Sequence, residues 1–340
     1  MTETQQESST KLYCNVIAQE NGIQPAGYAQ HLQTYVLLET PLPWQRNPLS
    51  LEPEESQLPS QIADLARLAQ EQYKKTGMLT RRSLYIAPDE VYSKDGFRRV
   101  MIYQLEGDMA SSYKKVEYWV PTEQMGALVW AYFEDQAKLP NYEPYRVPEA
   151  DTFRDVLVCT HGSRDVACAK FGYPIYKHLR ENHADDTQRI WRVTHFGGHL
   201  FAPTLVDLPR GDYWAYVDED VASQIMRRDG DITTLRGHYR GWAGMPPGFS
   251  QVLDYTLLMR EGWQWQQYMK KATILAQDDD DENPQWADVR IDYRSPDGNV
   301  AGTYLARVIV ENTVQTIGNS NHDKTHLKAQ YAIDGTIESV

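Results

Sequence analysis

Residues 154–206 read RDVLVCTHGSRDVACAKFGYPIYKHLRENHADDTQRIWRVTHFGGHLFAPTLV, and the rest of the chain is interpreted around this stretch. Cys159 and Cys168 have eight residues between them, and His195 and His199 have three. Each pair follows an apolar run that is typical of a β-strand. Two thiolates and two imidazoles at neighbouring strand ends favour a metal site with four ligands.

Strand topology explains how two pairs separated by 26 residues can meet. In a β-α-β unit the loops after parallel strands lie at one edge of the sheet, so the two loops face each other. Gly162 lets the first loop turn back, and Gly197 and Gly198 let the second loop curl so that both imidazoles point the same way.

Spacing leaves three interpretations of the four residues open. The first is a 2Fe-2S cluster with the cysteine pair on one iron and the histidine pair on the other. The second is structural zinc, although eight residues between the cysteines exceed the usual two to four. The third is a set of ordinary buried side chains. A thioredoxin-type dithiol needs C-x-x-C, which this loop does not have.

Three residues of the cysteine loop, His161, Arg164 and Asp165, are candidates to support the site. His161 is an alternative ligand or, in the plainer interpretation, makes a hydrogen bond within the loop. Arg164 either donates to a sulfur or pairs with Asp165, and the pair is the favoured prediction. Cys14 lies outside both loops and is predicted to be a small buried residue.

The order of predicted elements occurs twice. A β-α-β-β-β-α series in the first half returns in the second about 120 residues later, which indicates internal duplication. The first copy has Glu39 and Thr40 where Cys159 falls in the second, and Ala87 and Pro88 where the histidines fall. We therefore predict that the site belongs to the second copy.

This duplication predicts an α/β fold with three parts. They are a first copy without ligands at 14–150, a second copy at 151–232 and a C-terminal extension at 233–340. The extension is predicted to hold a helix from about Gly248 to Met269 and then a small antiparallel β module.

Composition narrows the classes of partner and compartment. The 340 residues include 34 Lys plus Arg and 47 Asp plus Glu, for a formal charge of -13, which disfavours nucleic acid and anionic lipid and favours a basic protein partner. Three cysteines in so long a chain argue against disulfides and for a reducing compartment. Because the first residues lack a basic start and an apolar core, we predict a cytoplasmic protein without a membrane segment.

The two ligand loops resemble those of the sucrase/ferredoxin-like family, whose members carry a thioredoxin-like ferredoxin domain. The resemblance lies in VCTHGSRDVACAKFG and in THFGGHLFAPTLV with WAYV after it. It implies thioredoxin-like copies and a 2Fe-2S cluster held by Cys159, Cys168, His195 and His199. H-x3-H stands where thioredoxin-like ferredoxins have C-x3-C, as in the bis-histidine branch of the family.

The function that this resemblance implies is electron transfer. We expect a redox partner protein such as a separate reductase, because the chain has no G-x-G-x-x-G nucleotide motif. The alternative is a zinc-stabilised protein-interaction module with no redox role. Whether the protein also catalyses a reaction is not decided by the sequence.

Overall fold

The computed structural model describes residues 12–48, 58–77, 80–280 and 282–340. Its α-helices are α1 (Cys14–Glu20), α2 (Ser60–Thr76), α3 (Met125–Phe133), α4 (Val166–Asn182), α5 (Glu219–Arg227) and α6 (Phe249–Glu261). Its strands are β1 (Thr34–Glu39), β2 (Arg81–Ile86), β3 (Phe97–Gln104), β4 (Lys114–Pro121), β5 (Arg154–Cys159), β6 (Gln188–Val193), β7 (Leu205–Leu208), β8 (Asp212–Trp214), β9 (Tyr239–Trp242), β10 (Met269–Gln277), β11 (Trp286–Arg294), β12 (Ala301–Asn319) and β13 (His322–Ser339).

The first nine strands form one mixed sheet in the order β4-β3-β1-β2-β6-β5-β7-β8-β9. In β1–β4 the first two strands are parallel, the third is antiparallel to the first and the fourth is antiparallel to the third. Strands β5–β8 repeat the same arrangement. The predicted fold class, two thioredoxin-like α/β copies in tandem, is confirmed by this repeated topology.

The two copies join at the edge strands β2 and β6 and also face each other. Ile86 and Val193 are the one residue pair in register between β2 and β6. Away from this joint, the inward side chains of the two half-sheets, β1–β4 and β5–β9, share one buried cluster. The hydroxyl groups of Tyr35 in the first copy and Tyr213 in the second are 3.1 Å apart. The interior of the molecule therefore lies between the half-sheets.

Helices cover the outer faces of the half-sheets. On the first copy, α2 places Ile62 and Leu65 against buried strand residues and ends at Gly77, whose φ is +67°. On the second copy, α4, α5 and α6 enclose a larger apolar cluster. The layers are helix, half-sheet, half-sheet, helix, and the loops that carry the predicted ligands lie at the edge of the second half-sheet.

The C-terminal extension forms the predicted antiparallel sheet, with strands in the order β10-β11-β12-β13. The predicted helix from Gly248 to Met269 is too long: it ends at Glu261, because Gly262 adopts a φ of +79° that breaks the helical path. Residues Trp263–Gln267 then form a short 3-10 turn that leads directly into β10.

The segment that leads from the first copy to the second also has regular structure. Residues Gln136–Tyr145 form 3-10 turns, and Leu139 and Tyr142 pack against the core of the first copy. The domain boundaries at 150 and 232 stay predictions. Within the described ranges, no helix is both long and apolar enough to cross a membrane.

Candidate metal centre

The two cysteines lie at either end of the loop that joins β5 to α4. Cys159 is the last residue of β5 and Cys168 is in the first turn of α4; each is 1% exposed, and both are free thiols. Asp165 caps α4 by accepting the Ala167 N–H at 2.8 Å, which turns Cys168 back toward Cys159. At Gly162 a Cβ would lie 2.8 Å from the Ala169 Cβ, so only glycine lets the loop pack this closely on α4.

The two histidines lie on the loop after β6, which curls through two glycines. Gly197 has a φ of +100° and Gly198 a φ of +78°. The curl places Nδ1 of His195 3.8 Å from Sγ of Cys159 and 3.6 Å from Sγ of Cys168. The structure thus brings three of the four predicted ligand residues together, with donor atoms within 4.8 Å of one another.

His199 lies beside this group but belongs to a second one. Its ring centroid is 5.3 Å from that of His195, and its Nδ1 is 3.3 Å from Sγ of Cys14 and 3.4 Å from Oδ2 of Asp165. Ser320, in the turn between β12 and β13, donates its backbone N–H to Oδ2 of Asp165 at 2.9 Å and its hydroxyl to Oδ1 at 2.7 Å. Three segments distant in sequence therefore orient one imidazole.

These contacts confirm one of the sequence predictions and contradict another. Cys14 is buried as predicted, and its sulfur lies beside His199. The predicted ion pair between Arg164 and Asp165 is wrong: Asp165 is fully buried as the cap of α4, and Arg164 donates to Oδ1 of Asn47 at 2.8 Å.

His161 has the plainer of its two predicted roles in this conformation. Its Nδ1 accepts the backbone N–H of His195 at 3.2 Å, and its Nε2 donates to the Gln45 carbonyl at 2.7 Å. With both ring nitrogens engaged, the side chain connects the cysteine loop to the histidine loop and offers no free donor to a metal.

Two arginines from other parts of the fold, the partly buried Arg82 and the fully buried Arg240, hold the histidine loop. Arg82, at the start of β2, donates to the His195 carbonyl at 3.0 Å. Arg240, on β9, donates to the Gly197 carbonyl at 3.2 Å and to the Tyr28 carbonyl at 2.6 Å. Sequence reasoning missed both. One signal was available: Arg82 is the second residue of β2, as Arg189 is of β6.

The local environment favours the metal-binding forms of Cys159, His195 and His199. Burial raises the pKa of Cys159, but hydrogen bonds from Cys168 and from the backbone, with the nearby charge of Arg82, bring it below its ordinary value. The pKa of Cys168 is well above its ordinary value, because this thiol donates to Cys159 and is buried. Burial lowers the pKa of His195 and of His199, so both imidazoles are neutral at pH 7. A thiolate and neutral imidazoles are the forms that bind metals.

The distances fit a metal with this donor set. Metal–ligand bonds of about 2.0–2.3 Å place donors on one tetrahedral metal roughly 3.3–3.8 Å apart. The separations from His195 Nδ1 to the two sulfurs fall within this range. Since Nδ1 of His199 faces Cys14 and Asp165, Nε2 is the nitrogen that this ring would offer to a metal.

Two clefts open beside the histidines, and their walls are cationic. A cleft of about 230 Å³ next to His195 is lined by Arg46, Arg82 and Arg164 among others. A cleft of about 330 Å³ next to His199 contains Arg240 and Lys328. Among the described residues that line the two clefts none is acidic, so the site has a positive rim in a chain that is acidic overall.

The chain is similar to two known proteins and to one protein family. A solved thioredoxin-like [2Fe-2S] ferredoxin from Aquifex aeolicus is 18% identical, with 28% of this chain and 97% of that chain covered; the TM-score of 0.23 is too low to support any argument. A 95-residue segment is 32% identical to Altered inheritance of mitochondria protein 32 of the yeast Meyerozyma guilliermondii and covers 26% of this chain. The match spans 34% of that relative's length.

The third similarity covers most of the duplicated region. Residues 25–241 match the sequence pattern of the sucrase/ferredoxin-like family, and this range includes both ligand loops and all nine strands of the large sheet except the last residue of β9. It is more than half of the chain, and the family predicted from the ligand loops is confirmed. The protein belongs to the sucrase/ferredoxin-like family.

Proposed function

We propose that the protein is an electron carrier that holds a 2Fe-2S cluster through Cys159, Cys168, His195 and His199. The observation that carries the proposal is the convergence of two buried thiols and Nδ1 of His195 at one sheet edge, with the second imidazole adjacent. When bound, such a cluster would accept and release one electron.

The surroundings of the four residues suit this role. Neutral imidazoles in place of two thiolates make the centre less negative, which favours its reduced form and raises its reduction potential. The guanidinium groups of Arg82 and Arg240 add positive charge and fix the backbone of the histidine loop. We expect a potential within roughly -150 to +300 mV, well above that of plant-type ferredoxins.

The positive rim supports a redox partner with an acidic docking face. Net charge alone predicts a basic partner, but charges beyond about 8 Å are largely screened at physiological ionic strength. The residues nearest the histidines, among them Arg46, Arg164 and Lys328, therefore decide which surface docks there. A separate reductase with acidic groups around its own redox centre fits this rim.

One observation favours a second candidate, a zinc-stabilised interaction module. The separations between His195 Nδ1 and the two sulfurs suit a single tetrahedral ion, and His199 or a water molecule would complete the coordination. Zinc would hold the two loops together without any redox role.

Spectroscopy of anaerobically purified protein separates the two candidates. A 2Fe-2S protein is coloured, contains iron and acid-labile sulfide in a ratio near one, and gives an EPR signal only when reduced. We expect Cys159→Ser to lose the colour. His178→Ala, which removes a histidine of α4 that contacts Ser223, serves as the matched control and should keep it. Colourless protein with one equivalent of zinc and no sulfide would reject the electron-carrier proposal.

A further inference from the structure

A separate cavity lies in the first copy, away from the candidate metal centre. It has a volume of about 610 Å³ and is bounded by β3, β4, the segment 144–148 and Arg189 of the second copy. Small-molecule sites in proteins commonly have volumes of 300–1,000 Å³. The cavity is therefore large enough for a ligand of one or two rings.

The charged groups that line this cavity are all cations. Lys94, Arg99, Arg146 and Arg189 contribute to its wall, and no carboxylate does among the described residues that line it. The side chain of Arg146 is half exposed, and its Nη1 lies 3.5 Å from Oε1 of Glu143, which is also exposed. A chain with a formal charge of -13 thus collects four positive side chains around one opening.

Aromatic rings alternate with these cations. The Nζ of Lys94 is 4.3 Å from the ring centroid of Phe97, and the guanidinium carbon of Arg99 is 4.6 Å from that of Trp119. Arg189 is 4.3 Å from the centroid of Phe153. The wall therefore offers flat apolar surface beside three of its four positive groups.

Arg99 is a buried residue of the cavity wall. It is 5% exposed, pairs with Glu117 and donates Nη2 to the Tyr92 carbonyl at 2.5 Å. Its Nε, also buried, has no hydrogen-bond partner among the described residues. Because Arg99 is buried and paired with Glu117, it is a fixed part of the wall, and the exposed Lys94 and Arg146 are the cations that a ligand from solution can reach.

The carboxylates near Arg99 pair with buried cations or lie outside the cavity lining. Glu117 pairs with Lys115, Arg189 and Arg99. Asp155 pairs with Lys115 and Arg189. Glu39 adjoins Arg99 across the β1–β3 pair and lies outside the lining. These acids balance the buried cations from within the protein. Lys94 and Arg146 are instead exposed at the opening, where they can attract an anion from solution.

The cavity corresponds to the cleft beside His195, because an arginine at the second position of a strand lines each of them. It is the second residue of β6, and Arg82, the second residue of β2, lines the cleft beside His195. Each arginine crosses to the opposite copy, Arg82 to the His195 carbonyl and Arg189 to Glu117. The first copy has no cysteine or histidine at the positions that match the two ligand loops, and it contains this arginine-lined cavity.

We propose that this cavity binds a small organic anion that has a planar apolar body and a carboxylate or phosphate head group. The head group would be bound by Lys94 and Arg146 at the opening, and the body would lie against Trp119 and Phe153. The proposal is independent of which metal the second copy binds.

Titration calorimetry of the full-length, metal-loaded protein with three naphthalene probes tests the proposal. The probes are 1-naphthoate, 1-naphthyl phosphate and the uncharged 1-naphthalenemethanol. We expect at least one anion to bind at micromolar to millimolar concentration, and the neutral probe to bind at least tenfold more weakly. Tighter binding of the carboxylate or of the phosphate identifies the head group.

Substitutions at the opening locate the binding, since exposed side chains can be changed without disturbing the core. The double variant Lys94→Gln/Arg146→Gln should weaken anion binding about tenfold. Lys114→Gln, which removes an exposed lysine outside the lining, should leave binding within about twofold. In NMR spectra, the indole N–H signal assigned through Trp119→Phe should shift on addition of the anion.

Several results would overturn the proposal. They are no binding of either anion at millimolar concentration, equal affinity for the neutral probe, or equal loss in the double variant and in Lys114→Gln. An unshifted Trp119 signal in the presence of bound anion would place the ligand elsewhere and would also reject it.

Discussion

At the scale of single residues, the two histidines are what would distinguish this centre from an all-cysteine one. Each contributes a neutral ring where a thiolate would add negative charge. We predict that His195→Cys, and separately His199→Cys, retains a 2Fe-2S cluster and lowers its potential by on the order of 100 mV or more. Redox titration followed by visible absorbance measures the change, with His178→Ala as the unchanged reference.

Arg82 allows a test of the charge that surrounds the centre. Arg82→Met removes a partly buried cation and the hydrogen bond to the His195 carbonyl, so the potential should fall by on the order of tens of millivolts. Arg81→Met is the matched control, because adjacent strand residues point to opposite faces and Arg81 stacks on Phe133 instead. A potential that moves equally in both variants would contradict this role for Arg82.

Residue identity and spacing predicted the cysteine and histidine loops but not their supports. Cys159, Cys168 and His195 lie on short loops after adjacent strands, so topology alone implied that they would meet. Cys14 and Ser320 come from opposite ends of the chain, and nothing local in either sequence marks the contact with Asp165. Such contacts depend on how whole elements pack.

At the scale of elements, the histidine loop depends on the space left by two glycines. A Cβ on Gly198 would lie 2.5 Å from the Arg240 guanidinium and would occupy a left-handed conformation. We predict that Gly198→Ala lowers stability by about 2 kcal/mol or more and reduces the metal content. Thermal unfolding and metal analysis provide the two measurements.

Gly22 supplies the matched control for that substitution. Its φ is +76°, but a Cβ there would meet no atom within 4 Å. Gly22→Ala should therefore cost only the backbone strain, roughly 1 kcal/mol, and should leave the metal content unchanged. Equal losses in the two variants would show that contact with Arg240 does not matter.

Strands with continuous apolar runs were predictable, and elements defined by long-range contacts were not. All six residues of β1 are buried, as its sequence TYVLLE indicates. The sequence of β10, MKKATILAQ, mixes lysines with aliphatic residues and most of its side chains are solvent-accessible, so it joins the sheet through pairing with β11. The short helix α1 likewise depends on its contacts with β12.

At the scale of the whole molecule, Asp155 connects the two copies. It is fully buried on β5 and binds Lys115 of the first copy at 2.6 Å and Arg189 of the second at 2.8 Å. Asp155→Asn would leave the buried cations Lys115 and Arg189 to share Glu117 with Arg99, and we predict a loss of about 3–5 kcal/mol in the free energy of unfolding. Asp288→Asn removes a partner of Arg307 in an exposed pair and should cost under about 1 kcal/mol.

The same residue predicts how stability depends on pH. Burial alone would raise the pKa of Asp155, but Lys115 and Arg189 hold it well below its ordinary value. Its ionised form therefore contributes full stability above roughly pH 4, and that contribution decreases as the pH falls toward the lower folded-state pKa. Denaturation by urea at pH 7 and pH 3 should show a smaller acid-induced loss in Asp155→Asn than in the unsubstituted protein.

The tip of the β12–β13 hairpin has a consequence for how far the site extends along the chain. The family match ends at residue 241, and a protein shortened there would keep every cysteine and histidine proposed to bind metal. It would nevertheless lose Ser320, whose two hydrogen bonds hold the carboxylate beside His199. The most distal hairpin thus completes the wall behind that imidazole, so relatives with different C-terminal segments must support the same ring by other means.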